Sequence, residues 1–414
     1  MATLHLPKLV MRVRFPSQTP YAGVIGFEYT FEMRCIGIKR IITIFMIMAM
    51  LMLAFASCKK SETPSGDSEG GEQIRSEVEN GEEPGGEDSS SAPSDAPSST
   101  VSNRKINYLT GETATGDNTI RPVAVMISNA KVNIPQSGIS NADIIYEAVT
   151  EGGVTRLMAL YSNMDTIGKT GSIRSARDQF IQLMLPLNAI YVHIGTSTSA
   201  KRMLDFYSYN DIDGIYLGFL AFQYDTEMAK IKSSEHCWFT NSDLIKAGIE
   251  KNSITTKNSF YPAFNFTESG SVVPLESDDV QQVKFSYSGY SDVTFTWDKN
   301  QNKFLKTAFG VPHTDAENGQ QLAFDNVFII LTDIGIQEEN GILPEFDFES
   351  GGSGWYFYGG KMQEITWKKG EPVDPLIIMD KGGNPIKVNT GKTYVGVLGN
   401  DRLDTVEIVT ATEG

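Results

Sequence analysis

A chain of 414 residues, 40% hydrophobic and 21% charged, is long enough for two ordinary domains and apolar enough to bury a core, which excludes a wholly disordered protein. The formal net charge is −16, and because the first 57 residues carry a net +4, everything beyond them carries −20. So acidic a body is soluble, self-repelling and a poor generic binder of DNA or of an anionic membrane surface, so no nucleic-acid partner is expected.

The segment Met33-Arg34-Cys35-Ile36-Gly37-Ile38-Lys39-Arg40 is basic, Ile41 to Ser57 carries no charge, and Ala54-Phe55-Ala56-Ser57 puts small residues ahead of Cys58. A basic stretch, an apolar run and a small-residue cleavage site make a secretory signal. A cysteine at the cleavage point makes it a lipoprotein signal, with Phe55 where leucine is commoner. The expectation is therefore a signal and lipobox region over 1–58, lipidation at Cys58, and a membrane partner reached through lipid on the extracytoplasmic face. An uncleaved signal anchor is the alternative, since an apolar run of about 17 residues can just span a bilayer. Residues 1–32 lengthen the region oddly, and Met33 is a candidate for the true start.

With Cys58 taken by lipid, Cys237 stands alone in the mature chain and no internal disulfide is expected; its neighbours Trp238 and Phe239 point to a buried, inert thiol. Three cysteines and four histidines do not make a Cys/His zinc set, so neither a metal nor a cofactor is expected. Residues 59–103 are mostly Ser, Gly, Glu, Asp and Pro, too poor in large apolar side chains to offset ordering entropy, and read as a disordered acidic tether.

An α/β domain is expected over 104–270. Arg121-Pro122 leads into a buried strand ending at Ile127. Ile144 to Val149 and Val154 to Tyr161 read as two more, joined by the turn Thr150-Glu151-Gly152-Gly153. Ile173, Ala176, Phe180, Leu183, Met184 and Leu187 follow helical spacing. Ala189 to Ile194 is again a strand, and Gly195-Thr196-Ser197-Thr198-Ser199 opens a helix through Met203 and Phe206. A further helix begins near Thr240, with Ser242 or Asp243 as cap. Strands alternating with helices give a mixed-sheet α/β layer.

From 271 to 414 a smaller, mainly antiparallel β domain is expected, as a small sheet or open barrel. Val293 to Trp297 pairs with Lys303 to Leu305 as one hairpin, and Trp355 to Tyr358 pairs with Met362 to Trp367 as a second. Leu376 to Met379 and Ile386 to Val388 flank the turn Gly382-Gly383-Asn384, and Thr393 to Leu398 closes the chain.

These residues carry a resemblance. Arg121 to Ile127, Pro135-Gln136-Ser137-Gly138, Ala142 to Glu147, Glu151 to Arg156, Ile173-Arg174-Ser175-Ala176-Arg177 and the hairpin Lys361 to Lys369 resemble, in order and spacing, the YerB-like lipoproteins of Gram-positive bacteria over roughly 109–410. The resemblance implies a two-part body, an α/β first domain and a smaller β-rich second, in a family known chiefly as a domain of unknown function. Family members commonly carry a Pro-His-Asn stretch where this chain has Ser234-Glu235-His236-Cys237-Trp238, which leaves in doubt any role resting on the neighbours of His236.

Candidate chemistry gathers at Gly171 to Asp178, where a loop enters a helix. Ser172 or Ser175 can cap, Ser175 with Asp178 makes a capping box, and Arg174 and Arg177 with free N–H groups make an anion receptor that Arg156 can join. The structural alternative is that Arg174 and Arg177 pair with Glu147, Glu151 or Asp178 and hold the turn together. Thr196 and Ser197 lie where phosphate or carboxylate is received in strand–turn–helix units, or cap the helix. His193 reads as a core histidine and His236 as the better acid/base candidate, with Glu147 and Glu151 as further acid/base candidates or solvated or Arg-paired carboxylates. Trp355-Tyr356-Phe357-Tyr358 can stack on a sugar or pack inward.

Three functional readings follow. The first is an accessory or binding module for an anionic envelope ligand, such as a wall polymer, or for a protein partner. The second is an envelope hydrolase or transferase using His236 with an Arg174/Arg177 clamp. The third is a solute-binding lipoprotein, against which the β-rich second half speaks.

Overall fold

In the computed structural model, residues 105–257, 261–337, 339 and 341–411 are described, so the readings of the signal, Cys58 and the linker fall outside the described residues. In chain order come β1 (Val123–Ser128), β2 (Ile144–Val149), β3 (Thr155–Tyr161), α1 (Asp178–Met184), β4 (Ile190–His193), α2 (Thr198–Phe206), β5 (Ile212–Asp213), a single turn α3 (Gly214–Leu217) and α4 (Ser242–Lys251). There follow β6 (Val280–Ser286), β7 (Asp292–Asp298), β8 (Lys303–Ala308), β9 (Asn326–Thr332), β10 (Gly352–Tyr358), β11 (Lys361–Lys368), β12 (Ile377–Met379), β13 (Thr393–Gly399) and β14 (Glu407–Thr410). The first part is α/β with a mixed sheet and the second mainly antiparallel β. Among the described residues every α-helix lies between Asp178 and Lys251.

The two parts share one sheet, which chain order does not reveal. Ten strands hydrogen-bond in the order β12-β11-β10-β9-β13-β2-β3-β1-β4-β5. The sheet runs across the boundary placed at residue 270, because β13 pairs in parallel with β2 on one side and with β9 on the other. Val123–Ser128, Thr155–Tyr161, Asn326–Thr332 and Thr393–Gly399 are buried at every residue, the pattern of strands covered on both faces.

One face, with Met126, Tyr146, Met158, Phe328 and Val395, packs on α1 and α2 through Phe180, Met184 and Leu204. The other, with Ile127, Ile145, Leu157, Ile329 and Tyr394, packs on Ile245 of α4 and on a second sheet. That sheet runs β8-β7-β6-β14, all antiparallel, with Val311–Pro312 beyond β8. Its inner residues Val283, Phe285, Val293, Phe295 and Phe304 are buried while Lys284 and Thr296 are exposed, so it covers the large sheet with one face only.

Between the two sheets lies a buried polar network. Glu147 of β2 is fully buried, and its carboxylate accepts from Asn129 Nδ2 at 2.8 Å, Thr155 Oγ1 at 2.8 Å and Tyr394 OH at 2.8 Å. Lys306 of β8, equally buried, sits 3.1 Å from the same carboxylate and 2.9 Å from His313 Nδ1. Gln136 fixes the tautomer. Its Nε2 donates to Ser128 O and Asn129 Oδ1, so its Oε1 must accept from His313 Nε2, at 2.6 Å. His313 is therefore neutral and presents Nδ1 as acceptor to the ammonium, and burial and Lys306 both push its pKa well down. Gly396 makes room here, since a Cβ at that position would lie 2.6 Å from the Tyr287 hydroxyl that meets Tyr394 OH at 2.9 Å. The sequence makes Glu147 an acid/base candidate or a solvated or Arg-paired carboxylate, and the structure pairs it with Lys306 instead. Its residue faces the gap between sheets, and it is a structural counter-ion.

Lys306→Met should strand a buried carboxylate and cost about 3–5 kcal/mol of unfolding free energy. The double variant Lys306→Met/Glu147→Gln should recover part of that loss, both read by urea denaturation.

Candidate functional site

β1 and β4 run parallel and end at the same edge of the sheet, the place where open α/β sheets receive ligands. The stretch expected as the first turns of a helix crosses this edge as an extended ribbon. Ile173 N donates to Trp238 O, Arg174 N to Met126 O and Ala176 N to Gly195 O, each at 2.8–2.9 Å. Those backbone partners are unavailable to a helix, so α1 starts only at Asp178. Its cap position is Arg177, without a side-chain cap bond, and neither Ser172 nor Ser175 caps it. The cap of α2 is as the hydroxyl-rich turn implies, Ser197 Oγ accepting from Ala200 N. Asn241 caps α4, one residue before the expected Ser242.

The three arginines have separate duties. Arg177 donates through Nε at 2.9 Å and through Nη2 to the two oxygens of Glu151, a bidentate pair, and through Nη1 to Ala176 O at 2.7 Å. Arg156 donates to Glu151 Oε1 at 2.9 Å and to Ser175 O at 2.5 Å. Burial, then Arg177, push Arg156 down to about 9 against the pull of Glu151, which leaves it charged at neutral pH. Burial works against the Glu151 anion, but Arg177 and Arg156 prevail and hold its carboxyl down to about 2. Arg177 thus pairs with Glu151 as the structural alternative has it, and Arg156, outside that reading, joins the same carboxylate. They clasp the β2–β3 turn onto the start of α1, and both of these guanidiniums are engaged by Glu151 before any ligand arrives.

Arg174 is different. Its Nη1 lies 3.0 Å from Glu235 Oε2, and that carboxylate is more than half exposed. Glu235 is held low first by the Arg174 hydrogen bond and then by its charge. Beside it, His236 Nδ1 lies 2.8 Å from Asn133 Nδ2, which also donates to Ser128 Oγ at 2.7 Å. With an amide donor at Nδ1, the neutral ring carries its proton on Nε2, 3.5 Å from Glu235 Oε1. Burial, then Arg174, lower the His236 pKa. Ser172 Oγ and Asn133 Oδ1 are buried with no hydrogen-bond partner among the described residues. Thr196 forms a backbone bridge with Ala176, and Ser197 Oγ meets Ser199 Oγ at 3.1 Å.

His193 is the core histidine expected, fully buried, with Nδ1 2.9 Å from Gly195 O and Nε2 3.0 Å from Asp211. Cys237 is buried and free. Of the aromatic run, Tyr356 stacks on Phe328 at 4.5 Å and Phe357 is buried in the opposite core, while Trp355 and Tyr358 are half-buried. Sequence reasoning missed Asn133, Glu235 and, above all, Ile215, Tyr216 and Phe219, which are 66%, 76% and 73% exposed. The only signal in the sequence was an apolar run broken by glycines, Gly214-Ile215-Tyr216-Leu217-Gly218-Phe219, whose composition is that of a core segment. This run borders the Arg174 ribbon. A Cβ on Gly195 would touch both Ser175 Oγ, at 3.4 Å, and Ile215, at 3.6 Å, and Phe219 packs on Trp238 at 5.3 Å.

Two family models match the chain, protein of unknown function (DUF3048) N-terminal domain over residues 109–255 and its C-terminal domain over 281–395. The chain is 31% identical over 282 residues to the putative lipoprotein YerB of Bacillus subtilis (strain 168), covering 67% of this chain and 81% of that one. It is also similar to the crystal structure of YerB from Bacillus subtilis, at 28% identity and a TM-score of 0.64, covering 74% of this chain and 99% of that chain. No helix among the described residues is long and apolar enough to cross a membrane.

The Glu151 clasp has a pH signature. Its folded pKa, near 2, lies below the ordinary carboxylate value of 4.5, so its stabilisation is complete above about pH 5 and lost as pH falls toward 2. After discounting for partial exposure this is about 2 kcal/mol. Glu151→Gln should be less stable than the parent at pH 7 and should show a shallower loss between pH 5 and 2 in urea titrations.

Proposed function

The chain belongs to the YerB-like family of two-part DUF3048 proteins, and on that premise we propose that it is a lipid-anchored extracytoplasmic module that binds a protein partner rather than transforming a substrate. Lipid on Cys58 holds it, the acidic segment 59–103 lets it reach outward, and the edge bearing Arg174 is its docking face. The observation that carries this reading is the exposed set Ile215, Tyr216 and Phe219 along the ribbon that bears Arg174, with Ile215 and Ser175 both reached from Gly195 and Phe219 packed on Trp238. Large apolar side chains grouped in the open mark interaction surfaces, with aromatic and arginine residues as usual anchors. Arg174 faces an exposed carboxylate that an acidic group of the partner can replace, whereas the Arg156 and Arg177 side chains are buried and both held by Glu151.

The anionic ligand expected from sequence thus becomes an acidic group within a larger apolar contact, centred on one guanidinium. A free wall polymer would engage Arg174 alone. The alternative, a hydrolase or transferase with His236 as acid/base, meets an obstacle for the base role in the Asn133 contact, since a ring already protonated on Nε2 can donate a proton there but not take one.

A photo-crosslinking residue at Tyr216 in the living cell should give one discrete protein adduct. Arg174→Glu or Phe219→Ser should cut its yield about tenfold or more with the protein level unchanged. Diffuse or absent labelling, or a yield indifferent to both changes, overturns the reading.

A further inference from the structure

Away from this edge, the first described segment of the body and α4 line a half-open cavity of about 480 Å³. The segment is held as a lid. Asn107 N donates to Glu112 O at 2.8 Å, Asn107 Nδ2 to Ser162 Oγ at 2.9 Å, and Arg121 N to Thr256 O at 2.8 Å. None of the residues proposed above lines the space. Its volume falls within the range of small-molecule sites.

The lining follows from the way α4 is laid down. Ile245 and Gly248 face the core, which turns Lys246, Ile249 and Glu250, spaced i, i+3, i+4, toward the cavity. Ile249 continues an apolar floor made by Leu109, Ile120, Pro122 and Met164. Charge sits at the mouth, and most of it is balanced. Lys246 is paired with Asp165 at 2.6 Å, and Asp117 with Lys257 at 3.0 Å. The side chain of Glu250 has no counter-ion among the described residues, so the mouth presents one unbalanced negative charge above an apolar floor. A free anion meets repulsion there. A neutral apolar molecule gains the floor and nothing from the rim.

We propose that this cavity binds an organic cation, a protonated amine carried on a compact apolar body, with the ammonium at Glu250 and the body on Leu109, Met164 and Ile249. The geometry uses each part of the lining once: hydrophobic area supplies affinity, and the lone carboxylate selects the sign of charge. The site is separate from the partner face and does not depend on it.

The test uses the full chain in mild detergent and three near-isosteric probes, phenethylammonium, 2-phenylethanol and 3-phenylpropionate, titrated by calorimetry at pH 7. Phenethylammonium should bind roughly threefold to fivefold more tightly than the alcohol, the carboxylate should bind weakest, and added salt should narrow the gap. Glu250→Gln, a change at an exposed position, should bring ammonium and alcohol to equal affinity. Ile249→Trp fills the floor and should abolish binding of all three, and in the same detergent it supplies the blank for micelle partition; its melting temperature checks that the fold is intact. Equal affinities for the three probes in the parent, an ammonium affinity unchanged in Glu250→Gln, or no binding of any probe would each overturn the proposal.

Discussion

The body is organised around a salt bridge that no water reaches. Glu147 comes from the first half of the chain and Lys306 from the second, and each is buried to the last square ångström between the two sheets. Removing two charges from water is costly, and the cost is met only because every neighbouring group is aligned to it. Asn129, Thr155 and Tyr394 donate to the carboxylate, and Gln136 turns His313 so that it accepts from the ammonium. A pair of this kind tolerates one register between β2 and β8. It therefore locates the small sheet on the large one more sharply than Phe285, Phe295 and Phe304 do, since an apolar face can slide by a residue pair at modest cost.

That arrangement explains how much was legible beforehand. Hairpins carried by adjacent segments were readable because turn and strands lie together in the sequence; β2–β3 across Glu151-Gly152-Gly153 and β10–β11 across Gly359-Gly360 fall where the pattern placed them. The insertion of β13 between β2 and β9 was not readable. Parallel neighbours separated by many residues leave no local trace, and a strand buried on both faces looks the same in the middle of a sheet as at its end. The helical period over Ile173 to Leu187 misled at its start for a related reason. The backbone of 173–176 is claimed by Met126, Gly195 and Trp238, none of them a sequence neighbour.

The candidate site divides along the same line. Arginines near a turn and an acid are visible as residue types, but which arginine is tied and which is exchangeable depends on burial, and burial is set by the sheet. Arg156 and Arg177 lie inside the clasp and Arg174 outside it, although Arg174 and Arg177 stand three residues apart. Surface apolar residues are harder still. Ile215, Tyr216 and Phe219 have the composition of a core segment and lie outside it because β5, just before them, is two residues long and the chain turns out at Gly214.

The position of β13 bears on the life of the chain before it is folded. A polypeptide leaves the ribosome amino end first, so β2 and β9 are both made before the strand Thr393–Gly399 that joins them. Until then β2 and β9 have no partner between them, and the ten-stranded sheet exists only as two unjoined pieces. Non-local pairing of this sort is slow and late by its nature. The join between the two halves of the large sheet is thus the last of its pairings to become possible, since β13 follows every other strand of that sheet in the chain.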